Sequence, residues 1–125
     1  MTTHKELRVW NQAIELAAET HRVVSTFSRE DRITYGDQFR RAAVSVALNL
    51  AEGAARQHRR EFLQFLSIAR GSVAELHTLR EIALRLGLAD EERLVRMSEL
   101  LDHTGRMLTQ LVRAIASYPS TPAPE

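Results

Sequence analysis

The residues best suited to chemistry in this sequence are its arginines. Between Tyr35 and Arg60, Arg40, Arg41, Arg56, Arg59 and Arg60 oppose only Asp37 and Glu52, with His58 inside the run, for a local charge of +3. Guanidinium groups pair bidentately with phosphate or carboxylate, so Arg40, Arg41, Arg56, His58, Arg59 and Arg60 are candidate contacts to RNA or DNA. The competing use of the same residues is a soluble turn in which Arg59 or Arg60 pairs with Glu61 or another acid. One copy of such a patch binds weakly, whereas a ring of subunits repeats it and gains avidity without new contacts.

A second group is polar and periodic. Ser45, Asn49, Glu52 and Arg56 follow one another at four, three and four residues, the spacing of one helix face. Further on, Ala69-Arg-Gly-Ser-Val-Ala-Glu75 sets Arg70, Gly71, Ser72 and Glu75 in mid-helix, where a glycine costs ~1 kcal/mol relative to alanine. The expectation is that Gly71 admits a neighbouring backbone while Asn49, Glu52, Arg70 and Glu75 form a paired, hydrogen-bonded polar layer.

Catalytic and metal chemistry find less support. A carboxylate-bridged metal pair in a helical bundle needs Glu-x-x-His ligands on one face, and none occurs; the nearest pair is Glu99 and His103. His21 and His77 fall on or beside apolar seams and read as structural side chains. Ser72 follows Gly71 within a helical pattern, without the strand-turn-helix context of a nucleophile elbow. There is no cysteine, no phosphate-binding glycine loop and no dinucleotide fingerprint. The expectation is a non-enzymatic protein with no catalytic residue, metal, cofactor or small-molecule substrate.

Helices must position these groups. Leu7, Trp10, Ile14, Ala17, Val24 and Phe27, with His21 on the same face, predict a first helix from about Lys5 to Phe27. Residues 28–34 break the pattern and read as a loop. Phe39, Ala43, Val46 and Leu50 predict a second helix ending near Arg56. Phe62, Phe65, Ala69, Ser72, Leu76, Leu79, Ala83 and Leu86 predict a third, closed by Gly87. Asp90 caps a fourth, with Leu94, Met97, Leu101, Thr104, Leu108, Leu111 and Ile115 along its seam. Four amphipathic helices with short connections predict an all-α, antiparallel up-down four-helix bundle. Val9, Leu16, Val23, Leu63, Leu66, Ile68 and Val73 lie off the seams, and a second apolar face predicts an oligomer.

Composition agrees with this. The chain has 125 residues, 44% of them hydrophobic and 26% charged, which predicts one soluble domain, residues 1–117, with a Pro-rich tail over residues 118–125. The start and interior lack a signal-like or membrane-spanning apolar run, so a cytoplasmic protein with no membrane partner is expected. Seventeen basic residues, all arginine but Lys5, meet sixteen acids, for a net charge of +1. That near-balance hides a local split, because residues 90–125 hold four arginines against six acids.

The motifs Leu7-Arg-Val-Trp10, Tyr35-Gly36, Gln38-Phe-Arg-Arg-Ala-Ala-Val-Ser-Val46, Asn49-Leu-Ala-Glu-Gly53, Glu61-Phe-Leu-Gln-Phe-Leu-Ser-Ile-Ala69 and Arg70-Gly-Ser-Val-Ala-Glu-Leu76 resemble the family of four-helix bundle proteins encoded in intervening sequences of bacterial 23S ribosomal RNA. The resemblance implies a homopentameric ring of up-down bundles. It also implies kinship with the accessory variability determinant of diversity-generating retroelements, which binds nucleic acid and partners a reverse transcriptase. Three functions are thus carried forward: an oligomeric scaffold contacting nucleic acid through the arginine-rich turn, a reverse-transcriptase accessory protein, and a purely protein-protein module. The family's characteristic positions fall on Ser45, Asn49, Glu52, Gly53, Arg56, Arg70, Gly71, Ser72 and Glu75, here expected to determine fold and assembly. Two departures stand out, since the family tends to have proline after the helix-one phenylalanine and between the helix-two serine and asparagine, where this chain has Ser28 and Ala47. Without the second proline, helix two is expected to be straighter.

Overall fold

Helix ends fall where side chains and glycine satisfy the orphan backbone groups. Gly87 takes a left-handed φ of 71°, and the Leu88 N–H reaches back to the Ala83 carbonyl at 2.9 Å, a Schellman closure of the longest helix. Three residues on, the Asp90 carboxylate accepts from the Arg93 N–H at 2.9 Å and starts the next. The structure is a computed structural model and describes residues 7–117. It contains α1 (Arg8–Val24), a short α2 (Arg29–Asp31), a π-turn (Arg32–Gly36), α3 (Asp37–Ala54), α4 (Arg59–Leu86) and α5 (Glu91–Ala116). Among the described residues there is no strand. The four long helices pack cyclically, α1 on α3, α3 on α4, α4 on α5 and α5 on α1, as an up-down four-helix bundle requires. The expected Pro-rich tail and the residues around Lys5 lie outside the described residues.

The seams expected for α3 and α5 are in the core: Phe39, Ala43, Val46 and Leu50 are buried, as are Leu94, Met97, Leu101, Thr104 and Leu108. In α4 the seam holds from Ala69 to Ala83, while Phe62 and Phe65 are half-buried and Leu86 is exposed. The helix of Ala47 runs unbroken from Asp37 to Ala54.

Two expectations fail. In α1 the buried residues are Val9, Ala13, Leu16, Thr20, Val23 and Val24; of the expected seam Val24 and Phe27 are buried and Leu7, Trp10 and Ala17 partly so, whereas Ile14 and His21 are exposed. The chain offers two apolar phases about one residue apart, and burial selects the one that passes through Thr20. That threonine is admissible in the core because its hydroxyl donates to the Leu16 carbonyl at 2.7 Å. Accordingly Val9, Leu16, Val23, Leu66 and Val73, expected to form a second apolar face, belong to the core. The second correction concerns residues 28–34, which are helical rather than loop from Arg29 onward. Ser28 caps α2 by accepting from the Asp31 N–H at 3.1 Å, and the π-turn carries the chain into α3. An extra residue in the turn shifts the 3.6-residue period out of phase, which hides the helix from a periodicity reading. Phe27 and Phe39 close this corner edge to face, with ring centroids 5.6 Å apart.

Candidate functional site

The polar stripe of α3 meets α4 at one level of the bundle. Asn49 Nδ2 donates to the Ser45 carbonyl at 2.8 Å and to Ser45 Oγ at 3.0 Å. Ser72 Oγ donates across the interface to Ser45 Oγ at 2.8 Å. Ser72 is buried, and this bond supplies the partner that a buried hydroxyl needs. One end of the stripe turns into the α3–α4 connection, where Arg56 pairs with Glu52 at 3.1 Å and approaches Glu61 at 3.9 Å. The Arg56 guanidinium also lies over the Phe65 ring, 4.9 Å from its centroid. Arg56 therefore braces the turn.

The close approach expected at Gly71 is found at Gly53 instead. A Cβ on Gly53 would stand 2.8 Å from Phe65 Cβ and 2.9 Å from Phe62 Cδ1, so the missing side chain lets α4 pack closely on α3 there. A Cβ on Gly71 would meet nothing within 4 Å. Arg70, Gly71 and Glu75 are exposed, and among the described residues neither Arg70 nor Glu75 forms an ion pair. The expected polar layer is thus confined to Ser45, Asn49 and Ser72, with Glu52 serving the turn. Helix-face arithmetic could not separate Gly53 from Gly71, because both sit beside apolar seams; only the large Phe62 and Phe65 opposite Gly53 signal the close approach.

Around Gly71 the outer face of α3 and α4 is apolar. Val44 and Leu48 are four residues apart on α3, with Leu48 61% exposed. Ile68 on α4 is 52% exposed, and its carbonyl lies 3.3 Å from Ser72 Oγ. The Ser45–Ser72 bond sets the two helices side by side, so Leu48 and Ile68 each lie about one turn from it toward the α3–α4 connection. Of the off-seam residues in α1 and α4, Ile68 is the one left exposed. Val44 and Leu48 were not singled out by the sequence, although they share a face with Ser45 and Glu52.

Charge sorts by end of the bundle. Arg40 and Arg41 stand near the start of α3 and Arg56 beyond its end, roughly 24 Å apart at 1.5 Å per residue, so the basic run is two clusters. Arg41 pairs with Asp37 at 3.1 Å. His58, Arg59 and Arg60 are exposed at the turn. Val73 packs on Gly105, where a Cβ would be 3.5 Å away, which gives the register of α4 against α5. On the turn side of the Ser45–Ser72 and Val73–Gly105 level, residues 46–71 and 106–117 hold six arginines against Glu52 and Glu61. On the other side, residues 29–45 and 72–105 hold eight arginines against ten carboxylates. The acidic character expected of the fourth helix stops at Asp102, and Arg106 and Arg113 lie with the basic end. Only the antiparallel register brings them there.

The remaining candidates are superficial. Glu99 and His103 are exposed on α5, and Glu99 lies 4.0 Å from Arg96. Among the described residues no three His, Asp or Glu side chains are grouped to hold a metal ion. His21 and His77, expected as structural side chains at the seams, are exposed; His77 Nε2 stands 3.9 Å from Asp102. Ser72 Oγ is committed to Ser45 and meets no histidine. No described helix is long and apolar enough to cross a membrane.

No curated protein matches the chain. A family model described as 23S rRNA-intervening sequence protein matches residues 5–110.

Proposed function

Because the chain belongs to the 23S rRNA-intervening sequence protein family, we propose that it is a non-enzymatic scaffold that associates with copies of itself and presents a basic end to RNA or DNA. The observation that carries this reading is Gly71, a mid-helix glycine beside open space and flanked by exposed Val44, Leu48 and Ile68. A helix interior keeps a glycine at a cost of ~1 kcal/mol, which a monomer would recover with alanine. A second copy packed closely on the α3–α4 face uses the missing Cβ and covers the apolar side chains. Arg70 and Glu75 at the edge of that face supply charges for the partner copy. A ring of five, as the resemblance implies, would set the arginine-rich turns side by side.

The nucleic-acid part of the reading rests on His58, Arg59 and Arg60 at the turn, with Arg106 and Arg113 at the same end. Arg40 and Arg41 lie too far along α3 to join them. The purely protein-protein reading assigns the same arginines to subunit salt bridges. A salt titration separates the two: phosphate contacts weaken linearly in log salt, whereas association driven by apolar burial does not. RNA binding that collapses between 50 and 200 mM salt while the oligomer persists is the result expected here. An oligomer that dissociates over that range without any RNA binding would favour the protein-protein reading.

A further inference from the structure

At the end of the bundle away from the α3–α4 turn, carboxylates are plentiful and most arginines are engaged. Arg22, Arg41, Arg80, Arg85 and Arg96 each reach a carboxylate within 4.0 Å. Arg29, Arg32 and Arg40 reach none among the described residues, yet all three line one surface groove with Ile33 and Asp37. Asp37 is held by Arg41 at 3.1 Å, and Asp31 accepts from the Ser28 hydroxyl at 2.9 Å. Glu30 is adjacent to Arg29 in sequence and so does not share its face. The groove is left with uncompensated guanidinium charge.

The groove also holds an exposed apolar side chain. Ile33 is 69% exposed, more than any other large hydrophobic side chain among the described residues. The π-turn holds it there. Gly36 faces inward, where a Cβ would stand 2.6 Å from Val24 Cγ1, while Arg32 and Ile33 are exposed and Arg40 is half-buried. Clusters of carboxylates need only charge from a partner. Guanidinium groups around an exposed aliphatic side chain offer two things together, bidentate contacts for phosphate oxygens and an apolar surface for a sugar or base.

We infer that Arg29, Arg32 and Arg40 around Ile33 form a second site, for a nucleotide unit either free or within a single strand. The phosphate lies on the guanidinium groups and the base or sugar on Ile33. This site requires neither self-association nor the arginines of the α3–α4 turn.

The test uses the full chain carrying Arg59→Gln and Arg60→Gln, so that failure of the turn as a binding surface leaves the readout intact. Fluorescence anisotropy of a labelled single-stranded RNA decamer is measured at low salt. Adding Arg32→Gln and Arg40→Gln weakens binding at least tenfold and lowers the log-log salt slope by about 1.4, the loss of two phosphate contacts on a single strand. Ile33→Asp also weakens binding, with an unchanged melting curve because the side chain is exposed. Displacement by AMP identifies a free nucleotide as the ligand, and displacement by unlabelled decamer alone identifies the strand. No binding in the parent, binding indifferent to Arg32 and Arg40, or equal displacement by polyglutamate would overturn the inference, the last in favour of an acidic protein.

Discussion

Ser72 Oγ donates to Ser45 Oγ at 2.8 Å, and this bond ties the middle of α4 to the polar stripe of α3. Because Asn49 also donates to Ser45 Oγ, the three side chains form one short network rather than independent contacts. Ser45→Ala removes its acceptor and leaves Ser72 with the Ile68 carbonyl at 3.3 Å. Each of Ser45→Ala and Ser72→Ala is expected to cost about 0.5–1.5 kcal/mol in urea denaturation. The double variant costs less than their sum, since neither residue then leaves the other unpaired. Strict additivity would show that the bond contributes nothing.

Gly53 and Gly71 respond oppositely to a methyl group. Gly53→Ala forces the new carbon against Phe62 and Phe65 and is expected to destabilise the bundle by about 1–3 kcal/mol. Gly71→Ala meets open space within one chain, so a dilute monomer gains up to about 1 kcal/mol of helix propensity. Thermal melts of both variants at low concentration check the pair. Equal destabilisation would place a hidden contact at Gly71.

Arg56 and Arg60 are predicted to separate stability from binding. Arg56 braces the turn through Glu52, Glu61 and the Phe65 face, all partly solvated contacts, so Arg56→Ala costs about 1 kcal/mol or less. RNA affinity measured well below the melting temperature changes little. Arg60→Gln leaves the melt unchanged and lowers the salt dependence of RNA binding by about one phosphate contact. The reverse pattern would make Arg56 the phosphate ligand and Arg60 the brace.

The α4–α5 connection gives a direct check on local signals. Replacing Asp90 with Ala removes the cap on the Arg93 N–H and is expected to cost about 1 kcal/mol. Gly87→Ala forces a side chain into the left-handed region and is expected to cost a similar amount. Chemical denaturation measures both, and a neutral Asp90→Ala would mean that water serves the helix end equally well.

What was legible in the sequence followed from how local the cause was. Gly87 and Asp90 act within a few residues of themselves, and both helix ends stand where they were expected. The α3 and α5 seams were legible because their large side chains, Phe39, Val46 and Leu50 in one and Leu94, Met97, Leu101 and Leu108 in the other, keep a three-four spacing along one face. In α1 two phases competed, and Thr20 concealed the buried one, since its hydroxyl is satisfied by its own helix. Residues 28–34 read as a loop because a three-residue helix running into a π-turn shows no 3.6-residue period. The site was legible in composition and not in arrangement. Ser45, Asn49 and Ser72 do meet, but Arg40 and Arg60 stand at opposite ends of α3, and Arg106 joins the basic end only through antiparallel register. No spacing rule within one helix reports on such relations.

In the proposed assembly the α3–α4 face around Gly71 receives another copy of the chain. Light scattering coupled to size exclusion, at micromolar concentration, tests it on the natural chain and on a Leu48→Glu, Ile68→Glu variant. The expected mass is a multiple of 14.2 kDa for the natural chain and 14.2 kDa for the variant, with helicity unchanged because both side chains are exposed. A natural chain at 14.2 kDa, or a variant that keeps the larger mass, would contradict it.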